Sequence, residues 1–162
     1  MNSVNTNSSP SDLKITDMRI AVVGENNWRW PIIKLYTNQG LVGLGEVRDG
    51  ASARYALMLK SRLMGENPCD VERLFRKITQ FGGHGRLGGG VCGIEMALMD
   101  LAGKAYGVPA YMLAGGKYRD QIRVYSDTPS KEDPIEMGNA LKKRVERGFT
   151  YLKMDIGVWI AE

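Results

Sequence analysis

Lys153 and Asp155 stand two residues apart in the stretch Tyr151 to Ile156, whose pattern is that of a β-strand. Residues i and i+2 of a strand share a face, so the two side chains lie side by side, with Leu152 and Met154 on the other face. A neighbouring carboxylate favours the charged form of a lysine, which makes Lys153 a poor base. Asp155 is then either a proton acceptor itself or the group that positions Lys153. The plain alternative is a structural ion pair.

Other residues with chemical potential are fewer. Gly83-His84-Gly85-Arg86-Leu87-Gly88 spells G-x-G-x-x-G, and a helix follows it. A dinucleotide site needs a strand just before this motif and an acidic residue at the end of the next strand. Here a helix precedes it, and Asp100 falls inside the following helix, so the segment reads as a glycine-rich loop. His84 is the single histidine, which rules out a site built on paired histidines. Cys69 and Cys92 have no C-x-x-C spacing; they read as inert thiols and fit a reducing, cytoplasmic setting. Lys142-Lys143-Arg144 is a basic run on a predicted helix and reads as a solvated face, with no nucleic-acid partner implied.

The elements that must position these residues follow from periodicity. Leu13 and Ile15 alternate, then Met18, Ile20 and Val22 continue out of phase, which implies a bulge near Thr16 and Asp17. A second strand with Ile33 and Leu35 and a third from Leu41 to Val47 flank the turn Asn38-Gln39-Gly40, as in a hairpin. Helical spacing follows. Tyr55, Leu59 and Leu63 mark one helix. Val71, Leu74, Phe75 and Ile78 mark a second, opened by Asp70 as N-cap. A third runs from Val91 to Tyr106 with Ile94, Ala97, Leu98, Leu101, Ala102 and Ala105 on one face, and Gly107 and Pro109 end it. This is an α+β unit: a three-stranded antiparallel sheet and a helical bundle. After Gly115-Gly116 a strand over Gln121 to Ser126, a helix from Asp133-Pro134 to about Arg147 and the strand at Tyr151 form a βαβ unit, which implies a parallel pair.

With 162 residues, 43% hydrophobic and 25% charged, the composition is globular. The net charge of +4 is mild. No apolar run reaches the ~18 residues of a membrane span, and the polar start lacks the apolar core of a secretory signal. Met1 to Asp12 is expected to be a disordered leader, residues 13–117 a first domain, and 118–162 an incomplete second one.

Three stretches give this order a family likeness: TNQGLVGLGE (Thr37 to Glu46), GIEMALMDLAGKAYGVPAYMLAGG (Gly93 to Gly116) and YLKMDIGV (Tyr151 to Val158). Together they resemble the enolase superfamily, in the mandelate racemase and muconate lactonizing enzyme group. The resemblance implies a capping domain over residues 13–117 and the first βαβ of an incomplete (β/α) barrel over 118–162. In that fold, strand ends at the barrel mouth carry the chemistry. It further implies proton abstraction beside a carboxylate, with the enediolate stabilised by Mg2+ whose ligands come from strands beyond residue 162. The implied substrate is a small carboxylic acid, the implied assembly a homo-oligomer, and no membrane partner is expected.

The likeness also gives roles to residues. YLKMDIGV sits where the family has a K-x-K motif, and Asp155 replaces the second lysine. Lys153 then suits holding a substrate carboxylate or developing enolate, with Asp155 either a base or its positioner. Trp28, Arg29 and Trp30 occupy a loop that in the family closes over the barrel mouth, although tryptophans folded back on their own sheet are the simpler reading. His84 and Arg86 would lie near the substrate if the glycine loop helps close the mouth, where a helix N-terminus favours an anion. Racemisation usually needs bases on both faces of the carbon, so loss of the second lysine points to dehydration of a sugar acid. The alternatives are a racemase, epimerase or cycloisomerase of the same superfamily, or a non-catalytic cap with a binding or assembly role.

Overall fold

The computed structural model describes residues 8–24, 29–47, 51–82 and 90–155. The chain divides into two compact units, with the boundary between Lys117 and Tyr118.

The first unit opens with three antiparallel strands in the order β1-β2-β3: β1 (Ile15–Val23), β2 (Trp30–Thr37) and β3 (Val42–Glu46). The ladder slips between Ile15 and Asp17, where the change of phase places the bulge. That slip lets both Ile15 and Met18 point inward, and each is about 1% exposed. The β2–β3 turn closes on Gly40 at φ 79°, a conformation that costs a residue with a Cβ. Thr37 clamps it: its N–H (3.1 Å) and its hydroxyl (2.8 Å) both donate to the Leu41 carbonyl.

Helices cover one face of this sheet. α1 (Ala53–Met58) is capped by the Ser52 hydroxyl, which accepts from Tyr55 N–H, and it tightens into a 3-10 turn over Leu59–Arg62. The tightening changes the expected stripe. Leu59 and Leu63 are buried as predicted, but Ala56 is the inward residue of α1 and Tyr55 is exposed. A three-residue repeat puts Ala56, not Tyr55, in line with Leu59. α2 (Val71–Thr79) buries Leu74 and Ile78. Asp70 stands at its N-cap position, yet its side chain makes no cap bond; it accepts from Arg73 Nε and Nη2 (3.1 and 2.9 Å), because a guanidinium one turn on is the stronger donor.

α3 (Val91–Tyr106) is the central helix and has the predicted limits. Ile94, Ala97, Leu98, Leu101, Ala102 and Ala105 are all buried, and Gly107 at φ 69° ends the helix. The helix runs across β3 at Gly43 and Gly45, both buried. Two side chains tie it to that strand: Leu44 N–H donates to Asp100 Oδ2 (2.9 Å), and Lys104 Nζ donates to the Val42 carbonyl (2.7 Å). A short α4 (Ala110–Leu113) follows.

The expected disordered leader meets structure from Ser8 onward; residues 1–7 lie outside the described residues. Pro10–Asp12 form a 3-10 turn. Ser8 Oγ donates to the Ala105 carbonyl (3.0 Å), and Ser9 exchanges two hydrogen bonds with the Gln39 amide (2.7 and 2.9 Å). The polar residues that suggested disorder are the ones that make these bonds.

The second unit is a βαβ: β4 (Ser126–Thr128), α5 (Pro134–Glu146) and β5 (Leu152–Met154), with the two strands parallel. β4 lies later than expected. Residues 121–125 are irregular, and Ile122 and Val124 are largely exposed. Pairing with β5 begins only where Ser126 N–H reaches the Tyr151 carbonyl (2.9 Å). Asp133 caps α5 by accepting from Ile135 N–H (2.8 Å), and Met137 is the buried residue of that helix.

Candidate active site

The short parallel ladder determines what Lys153 meets. Its register sets Ser126 opposite Leu152, Asp127 opposite Lys153 and Thr128 opposite Met154. Asp127 and Lys153 therefore project from adjacent strands at the same level, on the exposed side of a pair whose other side buries Ser126 and Thr128. Lys153 Nζ donates to both Asp127 oxygens, at 3.2 Å to Oδ1 and 3.4 Å to Oδ2. It also lies 3.3 Å from Asp155 Oδ1. The ring of Tyr125 is 5.9 Å from the same ammonium, within the range of a cation–π contact.

The shared face of Lys153 and Asp155 is thus as predicted, and the ion pair between them is present. Asp127 was missed. The sequence reading ended the first strand of the βαβ at Ser126, which left Asp127 in a connection. The signal that could have found it is the parallel register, since a carboxylate opposite a lysine is a favourable cross-strand pair. Hydrogen bonding to Asp127, then to Asp155, holds the Lys153 ammonium above the usual lysine range. These carboxylates favour the charged form of Lys153. Asp155 lies just past β5, and its backbone carbonyl accepts from Ser130 Oγ (2.9 Å), which fixes the chain where the strand ends.

The remaining site candidates belong to the first unit. Trp28, His84 and Arg86 lie outside the described residues. Arg29 is exposed. Trp30 opens β2, pairs with Val23 and leaves about a third of its surface to solvent (37%). Both belong to the first unit, and Lys153 belongs to the second.

Among the described residues no group of three or more His, Cys, Asp or Glu side chains converges on a point that could hold a metal. Mg2+ requires near-octahedral oxygen ligands, and Asp127 and Asp155 instead flank an ammonium that a cation would have to displace. These residues do not fit Mg2+. No helix of the described residues is long and apolar enough to cross a membrane.

Comparison with known proteins agrees with this architecture. The family model for the N-terminal domain of mandelate racemase / muconate lactonizing enzyme matches residues 3–115. D-xylonate dehydratase of Haloferax volcanii is 37% identical over 156 residues, which are 91% of this chain and 38% of that protein. D-galactonate dehydratase of Verminephrobacter eiseniae is 33% identical over 134 residues, 78% of this chain and 35% of that protein. The chain therefore spans well under half the length of the curated relatives it matches. Among solved structures, an enolase from Pantoea ananatis with bound D-gluconate and Mg superposes with a TM-score of 0.72 at 29% identity, covering 88% of this chain and 36% of that one. The family model matches most of the chain and the solved structure superposes on 88% of it, and the chain belongs to the mandelate racemase/muconate lactonizing enzyme family.

Proposed function

We propose that this chain is the N-terminal part of a Mg-dependent enzyme that removes the proton beside the carboxylate of a sugar acid and expels water, a sugar-acid dehydratase. The observation that carries the reading is the ammonium of Lys153, on β5 of a parallel two-stranded pair, in ion pairs with Asp127 and Asp155. The names of the two curated dehydratases support the same reaction. A fixed cation stabilises charge that develops on a substrate carboxylate or enolate. Asp155 takes the proton or holds Lys153 in place. In this reading the substrate-binding residues are Trp28, Arg29 and Trp30, whose rings and guanidinium suit an apolar wall and a carboxylate fork, with His84 and Arg86. In the reaction the C2 proton passes to a general base, and the C3–O bond breaks as that hydroxyl takes a proton from a general acid and leaves as water. The enol so formed gains a proton at C3 and loses its O–H proton to give a 2-keto-3-deoxy acid.

The metal ligands belong, in this reading, to the part of the relatives' length that the chain does not span. The enzyme is cytoplasmic, in keeping with the free thiols of Cys69 and Cys92, and works as a homo-oligomer. The test is a protein joining this chain to a complete barrel, incubated with Mg2+ and a panel of aldonic acids. Formation of a 2-keto-3-deoxy acid supports dehydration. Solvent deuterium at C2 with an inverted centre and no loss of water points to a racemase or epimerase. The 162-residue chain alone is expected to show no turnover, and micromolar Mg2+ binding by it in calorimetry contradicts the assignment of the ligands elsewhere.

A further inference from the structure

Asp127 and Asp155 do not hold Lys153 equally. Asp127 stands opposite Lys153 in the ladder and offers both carboxylate oxygens to the ammonium. Its backbone is set by strand pairing. Asp155 lies beyond the last ladder position and approaches with one oxygen at 3.3 Å. Both carboxylates are half-exposed or more, at 59% and 64%, so each is accessible to a ligand.

We propose that Asp127 is the positioning residue of this site: it is the standing counter-ion of Lys153, and this leaves Asp155 free to exchange a proton. The inference rests on the reading of Lys153 as the cation that meets the substrate, and it resolves the two roles open to Asp155. If Asp155 alone anchored Lys153, taking up a proton would remove the anchor's charge just as negative charge built up on the substrate. With Asp127 fixed across the ladder, Lys153 keeps an anionic partner while Asp155 cycles between carboxylate and acid. The donor count fits. An ammonium has three N–H donors; two reach the Asp127 oxygens, and the third, which faces Asp155, is the one a substrate oxygen would take over.

Among the described residues the groups facing Lys153 are Asp127 on β4, Asp155 after β5 and the Tyr125 ring just before β4. Arg123 is turned to Tyr151 and Thr150 instead. The direction of the Lys153 shift, set first by Asp127 and then by Asp155, accords with this ranking.

The experiment uses the 162-residue chain with 13C-labelled lysine and follows the Lys153 Cε resonance against pH at low ionic strength, assigned through Lys153→Arg. In the unsubstituted chain Lys153 titrates above the ordinary lysine range. Asp127→Asn is expected to remove the larger part of that elevation, Asp155→Asn the smaller part, and Asp127→Glu to restore it. Secondary chemical shifts over Ser126–Thr128 and Leu152–Met154 report whether the strands remain paired. If Asp127→Asn unpairs them, Asp155→Asn decides alone: Lys153 must stay elevated in it. A Lys153 that falls to the ordinary range in Asp155→Asn, or that moves in neither variant, overturns the proposal. The titration requires no turnover, so a barrel-completed protein that fails to dehydrate sugar acids overturns the dehydratase reading and leaves this result standing.

Discussion

Gly45 and Gly93 meet backbone to backbone: a Cβ added to Gly45 would lie 1.9 Å from the Gly93 carbonyl oxygen, and one added to Gly93 would lie 2.5 Å from that of Glu46. No rotamer relieves such a contact, because the atoms on the far side are main chain. Strand β3 and helix α3 are therefore as close as two elements can be, and Gly43 over Ala97 repeats the arrangement at 2.2 Å.

Gly45→Ala should push β3 off α3 and destabilise the first unit by about 3 kcal/mol or more, at or beyond the usual cost of overpacking. Gly40→Ala is the comparison. A Cβ there meets nothing within 4 Å, so the cost is only that of φ 79°, about 1–2 kcal/mol. Urea unfolding of the two variants, followed by Trp fluorescence, should rank them in that order. Equal losses would mean that β3 and α3 can separate freely.

Asp17, at the bulge of β1, is held at about 2 from an ordinary 3.8, by Lys60 first and then by Arg19. A carboxyl whose value is depressed by folding adds stability that is complete above its unfolded value and is lost as pH falls through its folded one. The stability difference between the native chain and Asp17→Asn should thus be largest near neutrality and shrink between pH ~4 and ~2. Thermal melts across that range check it. A difference that grows on acidification contradicts the assignment.

Hydrogen exchange should distinguish the two units. The α3 amides of Leu98 and Leu101 sit under side chains with no exposure and should exchange only by global opening of the first unit. Leu152, Lys153 and Met154 belong to a two-stranded pair of three residues each and should exchange much faster, since such a pair is marginal alone. Comparable protection would indicate that another surface, most simply a second copy of the chain, covers β4 and β5.

In a barrel-completed enzyme, Lys153→Ala should lower turnover about 100-fold or more, the scale of losing one charge-stabilising or proton-transfer group. Asp155→Asn keeps the shape but cannot take a proton. It should abolish C2 proton exchange while substrate still binds, if Asp155 is the base. Survival of activity with a shifted pH profile would assign it to positioning instead. Full activity in both variants would make the trio structural.

The parts of this molecule that were legible in sequence are those decided within one or two turns of chain. The α3 stripe from Ile94 to Ala105 with Gly107 after it leaves one arrangement only, and the phase slip at Thr16 and Asp17 has one cause. What was not legible depended on partners far away in sequence. Ile122 and Val124 alternate like a strand, yet among the described residues no strand pairs with them, and the ladder starts at Ser126. That shift of a few residues hid Asp127, the group most closely engaged with Lys153. Tyr55 was misplaced for a local reason that periodicity does not see, the tightening of α1 into a 3-10 turn.

Asp100 is the acidic residue after the glycine loop that a dinucleotide site would have used for ribose; here it accepts from Leu44 N–H, while Lys104 donates to Val42. Among the described residues β3 is one of the two edge strands of its sheet, and such strands are ready templates for pairing with another chain. Two helix side chains occupy two of the backbone groups that a recruited strand would use, Leu44 N–H and the Val42 carbonyl. Growth of the sheet on that side is thereby hindered, and a protein carrying neutral substitutions at both Asp100 and Lys104 should gain a tendency to form cross-β aggregates even where its own fold survives.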